Sequence, residues 1–225
     1  MDKALVLGPV QQESAPLRRK ISSLLRQAIE TQMLPAGTRL IEKNLCQELN
    51  VSRTALRESL RELEAEGLIT NGAKGMVVAA ISAEEAINVY AVRGALEALV
   101  VEQFAERADD AAMKALEVSV DILAKSYEQQ DVKKIVVAKA EFYEALCNGA
   151  SNLIALELLT RLNSRITRLR FASLSKSSRL PTSISEIRDL VAALKQRNAG
   201  EARAIALRHV SNAAKAAIGN GKDQA

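Results

Sequence analysis

The sequence predicts a mainly α-helical chain in two parts. A three-helix unit closed by a small β-hairpin comes first, and an antiparallel all-α bundle follows. Three observations carry this reading. Apolar residues recur at helical spacing through most of the 225 residues. Two short runs of strand length, Leu68–Asn71 and Met76–Ala80, lie side by side around Gly72-Ala73-Lys74-Gly75. Only four prolines and ten glycines interrupt the chain, which leaves little room for long linkers.

The first helix is expected after Ser14, with Pro16 in its first turn, where a missing N–H costs nothing. Ile21, Leu24, Leu25 and Ile29 form its apolar stripe. Pro35-Ala36-Gly37-Thr38 breaks it, and Arg39-Leu40-Ile41 reads as a short strand. A second helix runs from Glu42 to Leu49, and Asn50-Val51 closes a tight turn. Ser52 is a good N-cap for the third helix, because its side-chain oxygen can accept from an unpaired N–H. Gly67 ends that helix, and the glycines at 72 and 75 supply the positive φ that a hairpin turn demands.

From Ser82 onward six helices are expected, over 82–107, 109–129, 131–149, 151–175, 183–197 and 199–219. Ser82 with Glu85 and Ser183 with Glu186 both fit the capping box. Breaks fall at Asp109-Asp110, Asp131, Gly149, Leu180-Pro181 and Asn198-Ala199-Gly200. The domains expected are therefore 1–81 and 82–225.

On a helical wheel Leu56, Leu60 and Leu63 share one narrow stripe, while Arg53, Thr54, Arg57 and Arg61 stand beside it and point outward. A helix buried on one side and carrying Arg and Thr on the other suits the major groove of duplex DNA. Arg can bond a guanine edge through two donors, and Thr can meet a phosphate, a base edge or a thymine methyl. The order helix, helix, tight turn, helix, hairpin is that of a winged helix-turn-helix. Bulk charge does not argue the point. Residues 1–81 carry 11 Lys/Arg against 9 Asp/Glu, and the remainder carries 20 against 18. Scarce aromatics and the absence of Trp weigh against single-stranded nucleic acid, which is held by stacking rings.

The runs Leu34-Pro35-Ala36-Gly37-Thr38-Arg39-Leu40, Ser52-Arg53-Thr54-Ala55-Leu56-Arg57-Glu58-Ser59-Leu60 and Leu63-Glu64-Ala65-Glu66-Gly67-Leu68-Ile69 resemble the GntR family of bacterial transcription regulators. The resemblance implies DNA contacts from Ser52, Arg53, Thr54 and Arg57 on the third helix, from Lys43 on the second, and from Lys74 and Gly75 at the wing tip. Tyr90-Ala91-Val92-Arg93-Gly94-Ala95-Leu96-Glu97 resembles the opening helix of the FadR subfamily's helical effector domain, the FCD domain. It implies a cytoplasmic homodimer, a repressor, whose hold on operator DNA responds to a small metabolite.

Many FCD domains bind a divalent metal through an Asp, a His one turn later, and two further His on the last two helices. The corresponding positions here are Lys139, Tyr143, Ile187 and His209. A lone imidazole beside an ammonium makes a poor first-row metal site, so no metal or other cofactor is expected. Lys139, Tyr143, His209 and Arg93 can instead line a metal-free pocket for a carboxylate. The competing reading keeps Tyr143 and His209 as core residues and lets Lys139 snorkel to the surface.

Enzymatic function is not expected, since one His, no nucleophile–base arrangement and no glycine-rich phosphate loop leave no catalytic constellation. An alternative is a ligand-independent DNA-binding dimer or adaptor whose bundle only dimerises or recruits a partner. Cys46 and Cys147 form no metal or disulfide pattern and read as buried thiols in a reducing cytoplasm. The apolar run Ala4–Leu7 is too short for a signal peptide, and no run is long enough to span a bilayer, so a membrane partner is not expected.

Overall fold

The computed structural model describes residues 15–72, 75–166, 169 and 179–218, with side chains from Leu17 onward. Ala73, Lys74 and the stretch 170–178, on which parts of the expected wing tip and of the 151–175 helix fall, lie outside the described residues.

The first unit follows from its apolar spacing. Helix α1 (Ala15–Glu30), α2 (Glu42–Leu49) and α3 (Arg53–Ala65) pack around Ile21, Leu25, Ile29, Leu45, Leu56, Leu60 and Leu63. Asn50 turns the chain between α2 and α3 with φ 51°, and Ser52 caps α3 by accepting from the Ala55 N–H at 3.2 Å. Gly67, at φ 74°, releases the chain into β1 (Ile69–Gly72), which pairs antiparallel with β2 (Gly75–Val78). Ile69 lies opposite Val78 and Gly72 opposite Gly75. The expected strand at Arg39–Ile41 is only an isolated bridge from Arg39 to Val77, with Leu40 N–H bonded to Met76 O at 2.9 Å. Leu24 departs from the expected stripe. It is half exposed and faces Ile122, Ser126 and Val137 across an open groove of about 690 Å³.

Behind the wing come α4 (Ala83–Arg107), α5 (Asp110–Glu128), α6 (Val132–Gly149), α7 (Leu153–Arg165), α8 (Arg179–Lys195) and α9 (Ala199–Ile218). Ser82, Asp109, Asp131 and Asn152 cap the first four of these through side-chain oxygens. Helix α4 is central and packs on α6, α7, α8 and α9, while α5 closes over α6 and α8. The chain passes so closely between α6 and α4 that a Cβ on Gly149 would lie 2.2 Å from the Phe104 ring.

Three further expectations fail. The capping box at Ser183 and Glu186 does not exist, because α8 already starts at Arg179 with Pro181 in its first turn, where proline is tolerated. Ser183 instead hydrogen-bonds Tyr127 Oη at 2.8 Å inside the bundle. The box at Ser82 is half formed. Ser82 accepts from Glu85 N–H, but the Glu85 carboxylate turns away to pair with Arg165. Cys46 is only half buried, whereas Cys147 is buried and its thiol is pushed up to about 12 by burial and by the nearby Glu97 charge.

Candidate nucleic-acid interface and buried polar centre

Helix α3 is held rigidly from behind. Leu56, Leu60 and Leu63 are wholly buried. Ser59 Oγ donates to the Arg18 carbonyl at 3.1 Å, Ser22 Oγ donates to Glu62 at 2.8 Å, and Arg26 forms a two-pronged pair with Glu66 at 2.6–3.2 Å. Fixing α1 and α3 together in this way leaves the opposite face of α3 as a firm platform. On that face Ser52, Arg53, Thr54 and Arg57 are exposed, and so are Lys43 on α2 and Gly75 on the hairpin. Lys74 lies outside the described residues. Arg57 is not idle. Its Nε reaches the Glu42 carboxylate at 2.9 and 3.0 Å, while Arg61 pairs with Glu58.

Two contacts join this unit to the bundle. Arg165, at the end of α7, pairs with Glu85, and its guanidinium packs against Gly67, the residue that ends α3. Ser164 hydrogen-bonds Glu30 at the end of α1. The turn leading from the basic helix to the wing therefore rests on the bundle.

Inside the bundle the four residues expected to form a pocket are all buried, Lys139 included, so the snorkelling alternative for that residue is wrong. Arg93 is already engaged. Its Nε donates to Glu97 at 2.5 Å, its Nη2 donates to Tyr143 Oη at 2.7 Å, and its guanidinium carbon lies 5.7 Å from the centroids of both the Tyr90 and Tyr143 rings. Burial alone would lower the Arg93 pKa, yet Glu97 and the two tyrosines outweigh it and raise it. Tyr143 Oη also donates to Glu97 at 3.0 Å.

The second half of the centre lies between α8 and α9. Glu186 accepts from Arg179 at 2.8 Å and Asn212 at 2.7 Å, and it bonds His209 Nδ1 at 2.6 Å. Burial would raise the Glu186 carboxyl, but these bonds hold it down at about 2. Burial lowers His209 to about 4 despite the Glu186 bond, and the Lys139 charge adds to that effect. Glu97, Arg179, Glu186 and Asn212 were not among the expected pocket residues. Glu186 was hidden by its likeness to a helix cap, although it falls on the apolar face with Ile187, Leu190 and Leu194.

A divalent ion does not fit this donor set. Of the four family positions, Lys139 is a cation, Ile187 is apolar, Tyr143 is tied to Arg93 and Glu97, and the His209 Nδ1 is bonded to Glu186.

Comparison with known proteins locates both units. Residues 17–78 match the family described as bacterial regulatory proteins, gntR family, and residues 88–212 match the FCD domain. The Nta operon transcriptional regulator of Aminobacter aminovorans is 32% identical over 139 residues, spanning 60% of this chain and 63% of that protein. The transcriptional repressor RspR of Escherichia coli strain K12 is 25% identical over 193 residues, 85% of this chain and 83% of its own. In fold, the chain is similar to E. coli McbR/YncC, with a TM-score of 0.77 at 22% identity, covering 87% of this chain and 94% of the other.

Proposed function

Because the chain belongs to the GntR family of bacterial regulatory proteins, with an FCD domain behind its winged unit, it is a DNA-binding transcriptional regulator rather than an enzyme, and we propose that it is a cytoplasmic, dimeric repressor controlled by a small organic acid. Residues 1–81 bind operator DNA and residues 82–225 hold the acid and join the two copies. Arg53 and Arg57 read base edges, Thr54 and Ser52 meet the backbone at the start of α3, and Lys43, Lys74 and Gly75 add contacts at phosphates and at the adjoining minor groove.

The observation that carries this reading is the platform itself. Arg53, Thr54 and Arg57 are exposed on a helix whose other face is sealed by Leu56, Leu60 and Leu63. A dimer would present two such helices to half-sites about one helical turn apart.

Control requires the acid to bind one placement of the winged units better than another. Arg165 and Ser164 support such coupling, since one helix of the bundle touches both the end of α1 and the Gly67 turn. A quantitative shift assay tests the DNA-reading residues. Arg53→Ala is expected to weaken specific binding by about 1–3 kcal/mol, and Lys43→Ala to weaken binding to all sequences and flatten its salt dependence. Unchanged operator affinity for both Arg53→Ala and Arg57→Ala overturns the assignment.

A further inference from the structure

Near its start, α1 carries three exposed cations in a row, Arg18, Arg19 and Lys20, and none of them pairs with a carboxylate among the described residues. The acidic side chains along α3 are largely engaged elsewhere. Glu62 accepts from Ser22, Glu66 pairs with Arg26, and Glu58 pairs with Arg61.

Of the three cations, Arg18 is placed by direct contact with α3. Its carbonyl accepts from Ser59 Oγ at 3.1 Å, Ser22 donates to Glu62 at 2.8 Å, and Arg26 reaches Glu66 at 2.6 Å. Partner numbers rise together along the two helices, so α1 and α3 lie side by side and run in the same direction. Arg18 shares a helical row with Ser22 and Leu25, while Lys20 is turned about 160° away from it. A helical side chain leans toward the N-terminus of its own helix. Arg18 therefore leans toward the N-terminal end of α3, the end that bears Arg53, Thr54 and Arg57.

Distances decide what it meets there. Ser59 stands six residues after Arg53, about 9 Å along the axis of α3. Packed helices lie about 8–10 Å apart. The major groove is about 8.5 Å deep and about 12 Å wide. With Arg53 against a base edge, the start of α1 is too high and too far to one side to reach a base. It stands at the rim of the groove, where the phosphates are.

Resting on the reading of α3 given above, we propose that Arg18 binds a phosphate of duplex DNA at the rim of the groove that α3 enters. The contact carries charge and no base information, so it sets the height and angle of α3 without choosing the sequence. Because Ser59 holds the backbone of Arg18 and not its side chain, Arg18→Ala keeps the packing of α1 on α3.

Fluorescence anisotropy with the full-length protein tests this on a duplex selected for binding and on its scrambled counterpart. Arg18→Ala is expected to weaken both by the same factor, about tenfold at about 50 mM salt and about threefold at about 200 mM, since one phosphate contact contributes about 0.9 to the salt slope. Lys20→Ala removes an equal charge from the far side of α1 and should cost much less. Arg18→Lys keeps the charge and should recover most of the slope.

No change in Arg18→Ala, or equal losses from Arg18→Ala and Lys20→Ala, overturns the phosphate contact; loss of specific binding in Arg53→Ala then leaves the reading of α3 standing. A loss confined to the selected duplex would make Arg18 a reader of bases and overturns the contact too. If Arg53→Ala and Arg57→Ala both leave specific binding intact, α3 is not the reader and the phosphate contact falls with it.

Discussion

In the free protein Arg57 Nε bonds the Glu42 carboxylate, which competes for the guanidinium with the proposed base contact. The two side chains are 58% and 31% exposed, so the pair contributes about 0.2–1 kcal/mol, as exposed ion pairs do. A good Arg–guanine contact contributes about 1–3 kcal/mol to discrimination. Arg57→Ala therefore loses the proposed base contact but no longer has the Glu42 pair to weaken. The expected net loss is about 1–2 kcal/mol, or roughly five- to thirtyfold in specific affinity. Glu42→Gln removes the competitor and leaves Arg57 in place, so it should tighten binding by up to about fivefold. The gain should shrink as salt rises, because added ions screen exposed charges.

Fluorescence anisotropy reads both variants and the double variant Glu42→Gln/Arg57→Ala, on a selected duplex and on a scrambled one, at low and high salt. In the double variant the specific part of the Glu42→Gln gain should vanish. If Glu42→Gln instead weakens specific binding as much as Arg57→Ala, the pair persists on DNA, Glu42 orients the arginine, and the competition argument is refuted.

Gly149→Ala should cost about 1–3 kcal/mol of stability in urea unfolding, because its Cβ would collide with the Phe104 ring between α6 and α4; a change below a few tenths would contradict that packing. Leu60→Ala removes a wholly buried side chain and should cost about 2–5 kcal/mol, with DNA affinity lost along with the α1–α3 platform. His209 is the sole histidine, and its folded pKa of about 4 lies below the free value of 6.5. The unfolded chain therefore takes up a proton first as pH falls. Stability is full above about pH 6.5 and declines by about 3 kcal/mol towards pH 4. Unfolding across that range measures the decline, and His209→Gln should flatten it. Glu186 adds a second decline between its free value of 4.5 and about 2, since its depressed pKa contributes stability only above that window.

Much of the winged unit was legible because local signals and burial agree there. Ser52 caps, Leu56, Leu60 and Leu63 bury, and Gly67 releases the strand, each within a few residues of the next. The bundle was less legible because the same residue types serve two purposes. Ser183 and Glu186 have the spacing of a helix cap, yet Ser183 bonds Tyr127 and Glu186 gathers Arg179, His209 and Asn212 from three points in the sequence. Pro181 reads as a break but sits in a first turn that tolerates it. Arg93 drew notice as a candidate anion ligand, while Glu97 one turn later already holds it. Burial of Lys139 depends on how α6 packs, and nothing in its neighbours along the chain records that.

The proposed function turns on the exposed face of α3 reading duplex DNA. Selection of bound fragments from random-sequence duplexes, run in parallel with the unsubstituted protein and with Arg53→Ala/Arg57→Ala, tests it most directly. A two-fold symmetric motif with half-sites about one turn apart is expected for the unsubstituted protein, and loss of that motif for the variant. The same motif recovered at equal strength from both proteins would contradict it.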